Sequence, residues 1–433
     1  MEQSDLINQI IKLTDQYFDD NYNKEDFVPN ISKIPVSGRV LDKKDLEYLI
    51  KSSLELWLTS GEFTDEFEKK LSKKTGLRHC LFVNSGSSAN LVAISALKKL
   101  YDLNDGDEII TSAVNFPTTL NPILQNNLIP VLVDAEVSSY NINTDLIEKQ
   151  INKKTKGIVL AHTLGNPFDI NKIKEICNKY KLFLMEDMCD AFGSKFEDTH
   201  VGTFGDVATL SFYPAHHITT GEGGAVLTNN PKLKKIMESF RDWGRDCYCP
   251  PGEENTCKKR FDWQLGELPH GYDHKYIYSN VGYNLKATDM QAAIGISQLD
   301  KIDQFIKTRK ENFNYYYKNF KNLDEFIMPT WNKLSEPSWF GFPISLSKKA
   351  KFTRRDLLTY YDDRNIGTRL IFAGNIAKQP AYENLNIKIS GKLENADYIM
   401  NNSFWLGVYP GLGKTQLDFV INETLAFLKE RQK

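Results

Sequence analysis

The residues with chemistry in them fall into two sets. One is the pair His216 and His217, inside the run Ser211-Phe212-Tyr213-Pro214-Ala215-His216-His217-Ile218-Thr219-Thr220-Gly221-Glu222-Gly223-Gly224, with no lysine between Lys195 and Lys232. An imidazole titrates at about pH 6.5, so it accepts protons near neutrality, yet it cannot form the Schiff-base link that a lysine amine makes. The other set is Cys189, Cys247, Cys249 and Cys257, separated by 57, one and seven residues. Four thiolates suit a [2Fe–2S] cluster or tetrahedral zinc, and spacing does not choose between them. Cys80 and Cys177 stand apart and read as small buried hydrophobes.

Elements that would position these groups are visible as short apolar runs. Cys80-Leu81-Phe82-Val83, Glu108-Ile109-Ile110, Ile129-Pro130-Val131-Leu132-Val133, Gly157-Ile158-Val159-Leu160 and Leu182-Phe183-Leu184-Met185 alternate with helix-patterned stretches. That alternation predicts an α/β fold with a mainly parallel sheet and helices on both faces. Ligands in such sheets sit beyond the carboxyl ends of the strands. There stand Asn84-Ser85-Gly86-Ser87-Ser88-Ala89-Asn90, where backbone N–H groups and the hydroxyls of Ser87 and Ser88 suit a phosphate. Phe116 follows the second run, and Glu186-Asp187-Met188-Cys189-Asp190 follows the last. Each has a plainer reading when taken alone: a turn, a core phenylalanine, a carboxylate capping a turn.

Residues 1–49 read as an N-terminal helical extension, 50–300 as a large domain, and 301–433 as a linking helix with a small C-terminal domain. The segment 245–283, rich in Cys, Pro, Gly and aromatics, reads as an excursion from the large domain. A helical pattern capped by Thr288 runs past Tyr317, and Phe340 to Ile344 and Arg369 to Phe372 look strand-like. The formal net charge of −2, the polar start Met1-Glu2-Gln3-Ser4-Asp5 and the absence of an apolar run of membrane length point away from nucleic acid and membranes. A cytoplasmic protein is the expectation, and six cysteines in such a chain are too few for a disulfide scaffold.

In their order these motifs resemble those of the DegT/DnrJ/EryC1/StrS sugar aminotransferases, over about residues 50 to 425. The resemblance implies the aspartate aminotransferase architecture (fold type I), a large domain with a mainly parallel mixed sheet and a smaller C-terminal α/β domain. It implies Asp187 on the cofactor ring nitrogen, Phe116 over the ring, and Ser211 on the phosphate. Asp190 falls where the family has His or Gln near the ring's 3-oxygen. Asn284 matches an asparagine that reaches the partner subunit's phosphate, which implies a homodimer with shared sites. Lys286 stands where the family commonly has Arg, so no role is carried to it.

His216 takes the place of the family's lysine, as in a branch of nucleotide-sugar 3-dehydratases that leads to 3,6-dideoxyhexoses. That likeness implies noncovalent pyridoxamine 5′-phosphate (PMP, the amine form of pyridoxal phosphate, PLP). His216 is then the base at the cofactor's C4′, and a nucleotide-linked 4-keto-6-deoxyhexose loses its C3 hydroxyl. The cysteine spacing resembles the [2Fe–2S] ligand set of the branch acting on CDP-4-keto-6-deoxy-D-glucose. With it comes the expectation of an NAD(P)H-dependent iron–sulfur flavoprotein reductase as partner, in the biosynthesis of lipopolysaccharide O-antigen sugars. Lys258, Lys259 and Arg260 read as a docking patch for an acidic reductase or a pyrophosphate, or as a solvated edge. His162, after a strand, is a candidate substrate contact. Two other readings stay open: a PLP-dependent aminotransferase, and a noncatalytic sugar-binding or regulatory relative.

Overall fold

The computed structural model describes residues 3–22 and 26–431. Within the expected N-terminal extension, residues 1–2 and 23–25 lie outside the described ones, and the rest holds the helices Gln3–Asn21 and Lys43–Leu54, tied by a Lys43 to Asp19 ion pair of 3.0 Å. The apolar runs become the strands of an eight-stranded sheet. These are β1 (His79–Val83), β2 (Glu108–Ser112), β3 (Ile129–Val133), β4 (Thr155–Ala161), β5 (Phe183–Asp187), β6 (Val207–Ser211), β7 (Gly224–Thr228) and the short β8 (Lys388–Ile389). Their spatial order is β1-β7-β6-β5-β4-β2-β3-β8, and only the pairs that β7 makes are antiparallel.

That topology has one consequence for the His216 run. β6 and β7 are neighbours in sequence and in the sheet, and Ser211 pairs with Gly224. The intervening loop is therefore clamped at its base, with Phe212 N–H donating to the Gly223 carbonyl at 2.9 Å and Thr220 N–H to the Phe212 carbonyl at 3.0 Å. His216 sits at the far end of this clamp, its own N–H turned back onto the Tyr213 carbonyl at 2.9 Å.

Helices cover the sheet for readable reasons. Pro231–Arg241 starts with Pro at its first turn behind the Asn230 cap, and Asp169 caps Ile170–Tyr180. Phe67, Phe82 and Phe212 pack edge to face beneath one end of the sheet. Cys80 and Cys177 are buried, as expected of lone thiols.

The second domain is a four-stranded antiparallel sheet of Phe326–Ile327, Gly341–Leu346, Ser403–Gly407 and Thr368–Arg369. Three expectations need correction. The helix capped by Thr288 stops at Leu299 and a separate one, Ile302–Phe320, follows across Asp300 and Lys301, the Lys301 ammonium reaching Asp42 and Asp45 at 3.0 and 2.6 Å. The strand expected over Arg369 to Phe372 is only Thr368–Arg369: Trp405 Nε1 takes the Leu370 carbonyl at 3.1 Å, and Phe372 turns away at φ 46°. Finally, β8 comes from the C-terminal span yet extends the large sheet beside β3.

Candidate active site

The ends of β1, β2, β4, β5 and β6 open on one cavity of about 520 Å³, closed on the far side by residues of the small domain. At the end of β1, Ser85 caps the helix Gly86–Leu100 by accepting from Ser88 N–H at 3.1 Å. The first-turn N–H groups of Gly86 and Ser87 are left without intrahelical partners, an anion-binding arrangement. Two glycines keep this turn open. A Cβ on Gly86 would lie 2.5 Å from Ser211 Cβ, and one on Gly224 would lie 2.3 Å from the Ser85 carbonyl oxygen. The last glycine of the Glu-Gly-Gly run is thus required by its packing against the Ser85-Gly86 turn.

β5 ends in Glu186-Asp187, and the period-two alternation of a strand sends the two carboxylates opposite ways. Glu186 faces the body, accepting from the N–H groups of Gly202, Phe204 and Gly205 and lying 3.1 Å from His162 Nε2. Asp187 faces the cavity: Oδ2 accepts from Thr119 Oγ1 at 2.7 Å and Asn90 Nδ2 at 2.9 Å, and Oδ1 from Cys189 N–H at 3.1 Å. Asn90 is held in turn by Thr209 Oγ1 at 2.6 Å. The carboxylate is oriented before any ligand arrives.

His216 lines the same cavity with 16% of its side chain exposed. Its ring packs on Phe340 at 5.2 Å, and its Nδ1 lies 3.5 Å from Asp190 Oδ1 without a hydrogen bond. Burial pushes the imidazole down to about 4, opposed by the Asp187 charge and a bond to the Cys189 backbone and reinforced by the Arg309 charge. Burial pushes Asp190 up to about 8, helped by the Asp187 charge against Arg309 and the Leu164 N–H. At neutral pH the pair is a neutral imidazole beside a neutral carboxyl. The buried Arg309 guanidinium donates to the carbonyls of Phe340 at 3.1 Å and His216 at 3.2 Å, tying the histidine loop to the small domain.

Of the residues singled out in the sequence, Ser87, Phe116, Asp187, Cys189, Asp190, Ser211 and His216 all line this cavity. Ser88 does not: its hydroxyl is taken by the Ser85 cap at 3.0 Å. Asn284 is exposed outside the cavity, bonded to Lys286 Nζ at 2.8 Å. His217 is buried on Ser338, 3.1 Å from its carbonyl and 3.0 Å from its hydroxyl, and His162 is buried against Phe168, so neither reaches a ligand. Asn90, Thr119 and Arg309 were not recognised in the sequence. Asn90 lies one helical turn beyond Gly86, and Arg309 interrupts the buried stripe Phe305, Asn312, Phe313, both spacings being readable signals.

The residues fit a pyridoxamine-type cofactor. Open N–H groups suit a phosphate, the cavity-facing Asp187 carboxylate suits a protonated ring nitrogen, and the buried Asp190 Oδ2 and His216 Nδ1 at the cavity wall have no hydrogen-bond partner. The four cysteines fit their expected cluster less well. Cys247, Cys249 and Cys257 border one small cavity with His274, while Cys189 lines the cofactor cavity instead. Burial pushes the Cys249 thiol up, but bonds with Thr256, Cys257 and Cys247 outweigh it and bring it down to about 7. Burial and the Asp187 charge push Cys189 well above its ordinary range. Among the described residues no three His, Cys, Asp or Glu side chains are grouped to hold a metal ion, so the expected four-thiol set is not assembled. The reason is structural: Cys189 is fixed to the end of β5 by its N–H bond to Asp187, and the other three ride on the 245–283 excursion.

Residues 40–424 match the sequence profile of the DegT/DnrJ/EryC1/StrS aminotransferase family. The chain is 51% identical to the lipopolysaccharide biosynthesis protein RfbH of Salmonella typhimurium, covering 98% of both chains. It is 49% identical to the dTDP-4-dehydro-2,6-dideoxy-D-glucose 3-dehydratase of Saccharopolyspora spinosa, over 93% of this chain and 88% of that one. Its fold is similar to that of the E. coli GDP-4-keto-6-deoxy-D-mannose-3-dehydratase with bound hydrated PLP, at a TM-score of 0.82 and 28% identity, covering 91% of this chain and 99% of that one.

Proposed function

The chain belongs to the DegT/DnrJ/EryC1/StrS aminotransferase family, and from that premise we propose that it is a PMP-dependent 3-dehydratase of a nucleotide-linked 4-keto-6-deoxyhexose. One observation carries the reading: the cavity is lined by a histidine and by no lysine. A family member with a lysine there could hold PLP covalently and transaminate; this cavity can only bind the cofactor and move protons. PMP, when bound, supplies a primary amine for a ketone and a ring that stores electrons. Gly86, Ser87 and Ser211 would hold its phosphate, Asp187 would keep its ring nitrogen protonated, and Phe116 would lie against the ring. With PMP bound, His216, neutral at working pH, would be the group to take a proton from C4′, and the chemistry the cofactor would supply is loss of the sugar's C3 hydroxyl. Asp190, still protonated near neutrality, keeps a second carboxylate charge away from the base.

The finer parts of the proposal rest on sequence. A CDP-linked 4-keto-6-deoxy-D-glucose is the substrate proposed, alongside relatives named for dTDP- and GDP-sugars. Cysteine spacing and the acidified Cys249 support a [2Fe–2S] cluster served by an NAD(P)H-dependent reductase; that Cys189 and the other three thiols border different cavities counts against it. The exposed Asn284 supports a homodimer with shared sites. No helix among the described residues is long and apolar enough to cross a membrane, in keeping with the proposed cytoplasmic setting.

The test is incubation of the PMP-loaded protein with CDP-, dTDP- and GDP-linked 4-keto-6-deoxyglucose. Loss of one water from the sugar, dependent on His216, is the expected result. A borohydride-trapped lysine adduct, or transfer of the amine to the sugar, would overturn it. Iron and acid-labile sulfide analysis of anaerobically purified protein tests the cluster separately.

A further inference from the structure

The reading above leaves one charged group of the cavity without a task. Asp187, Asp190 and His216 lie in the buried part, and Arg369 is the one lining residue with a permanent positive charge. Its segment is fixed from two sides: Arg369 pairs with Trp405 across the small sheet, and Trp405 Nε1 donates to the next carbonyl, that of Leu370, at 3.1 Å. The guanidinium spends one N–H on the neighbouring Thr368 carbonyl at 2.8 Å. Its other donors face no carboxylate at ion-pair distance, since Arg369 takes part in none of the ion pairs of the described residues, and a guanidinium carries several.

The surroundings grade from floor to rim. Asp187, Asp190, Phe340 and Trp405 are buried, whereas Tyr213 and Leu370 are 52 and 47% exposed. A substrate whose reacting sugar reaches His216 must leave its nucleotide in the outer, apolar part, with the diphosphate between. A diphosphate in a cleft whose other ionisable groups are carboxyl groups and a neutral imidazole needs a cation there. We propose that Arg369 binds the diphosphate bridge of the nucleotide-sugar, its planar fork meeting two phosphate oxygens, while the base lies on the apolar rim. This rests on the functional reading above. Because CDP, dTDP and GDP share the diphosphate, Arg369 supplies affinity without selecting the base. The cofactor's own phosphate has a separate seat at Gly86, Ser87 and Ser211.

Calorimetric titration of the PMP-loaded protein with CDP, dTDP and GDP, and with the three matching nucleosides, tests this. The wild-type chain is expected to bind at least one diphosphate, and Arg369→Gln to weaken it by roughly 10- to 100-fold, the worth of a charge-assisted hydrogen bond. Arg369→Lys should recover part of the loss, and nucleoside and PMP affinities should stay unchanged. Equal diphosphate binding by wild type and Arg369→Gln sinks the assignment alone, as does a loss of PMP affinity, which would place Arg369 on the cofactor. If the wild-type chain binds none of the three diphosphates, the functional reading falls and the assignment with it.

Discussion

The cofactor cavity takes its walls from five strand ends and a second sheet, whereas residues 245–283 contain a single turn of 3-10 helix, His274–Tyr276. In the cavity the central carboxylate is held by groups from distant parts of the chain, Asp187 by Asn90 and Thr119. The excursion is held chiefly at its neck, by the bridges Asp242 to Asn284 and Arg245 to Tyr278. Inside it are side-chain ties: Arg260 with Asp273 at 2.7 Å and Glu254 at 2.6 Å, and Trp263 stacked on His274 at 4.4 Å. Arg260 therefore belongs to the loop's own scaffold rather than to a free basic patch. The difference teaches that the cavity is built before its ligand, while the thiol segment is ordered by its neck and a few internal side-chain ties rather than by a sheet.

Breaking the prebuilt side should cost the most. His216→Asn is expected to lower the dehydration rate by about 10²- to 10⁴-fold, the usual worth of a general base, with PMP affinity and thermal midpoint unchanged. A variant that keeps wild-type rate in single-turnover assays would remove His216 from the chemistry. Asp187→Asn should follow, weakening PMP binding by about 10- to 100-fold, because an amide presents a donor where Asn90, Thr119 and the Cys189 N–H all donate. Fluorescence titration with PMP reads this directly, and an unchanged affinity would mean that the ring nitrogen is held elsewhere.

Much of this site was legible because its residues follow short apolar runs, and a parallel sheet delivers the residues after its strands to one edge. The His216 loop was legible by its punctuation, Ser-Phe before and Glu-Gly-Gly after, which the Ser211 to Gly224 pairing turns into a clamp. What stayed hidden depends on contacts between segments far apart in sequence. No glycine or proline marks the break at Asp300 and Lys301, and the carboxylates that Lys301 meets there, Asp42 and Asp45, are far away in sequence. Ser88 carries the same hydroxyl as Ser87, and only the cap geometry says which one faces the ligand. Cysteine spacing likewise carries no information on whether a loop lets its thiols meet Cys189.

The neck is where the loosely built side can be broken without touching the cavity. Gly244 sits at φ 83°, and a Cβ there would lie 1.8 Å from the Asn280 carbonyl oxygen. Gly244→Ala should therefore open the excursion at a cost of about 1–3 kcal/mol, speeding proteolytic cleavage within 245–283 while PMP affinity holds. Cleavage at the wild-type rate would mean the neck is not what orders the segment.

The mildest expected effect separates the two regions by a single thiol each. Cys249 and Cys189 belong to the same proposed ligand set, but hydrogen bonds bring Cys249 down to about 7, whereas burial and the Asp187 charge keep Cys189 protonated well above the ordinary thiol range. The thiolate is the reactive form, and its fraction grows as pH rises through the pKa. In protein stripped of metal, alkylation by iodoacetamide should thus mark Cys249 first, with a rate rising about tenfold between pH 6 and pH 8. Cys189 should stay unlabelled over that range, and saturating PMP should change neither rate if cavity and excursion are built independently. Labelling of both cysteines with one pH profile would show instead that the excursion closes onto the cavity in solution, bringing Cys189 among the other thiols without any metal to draw it there.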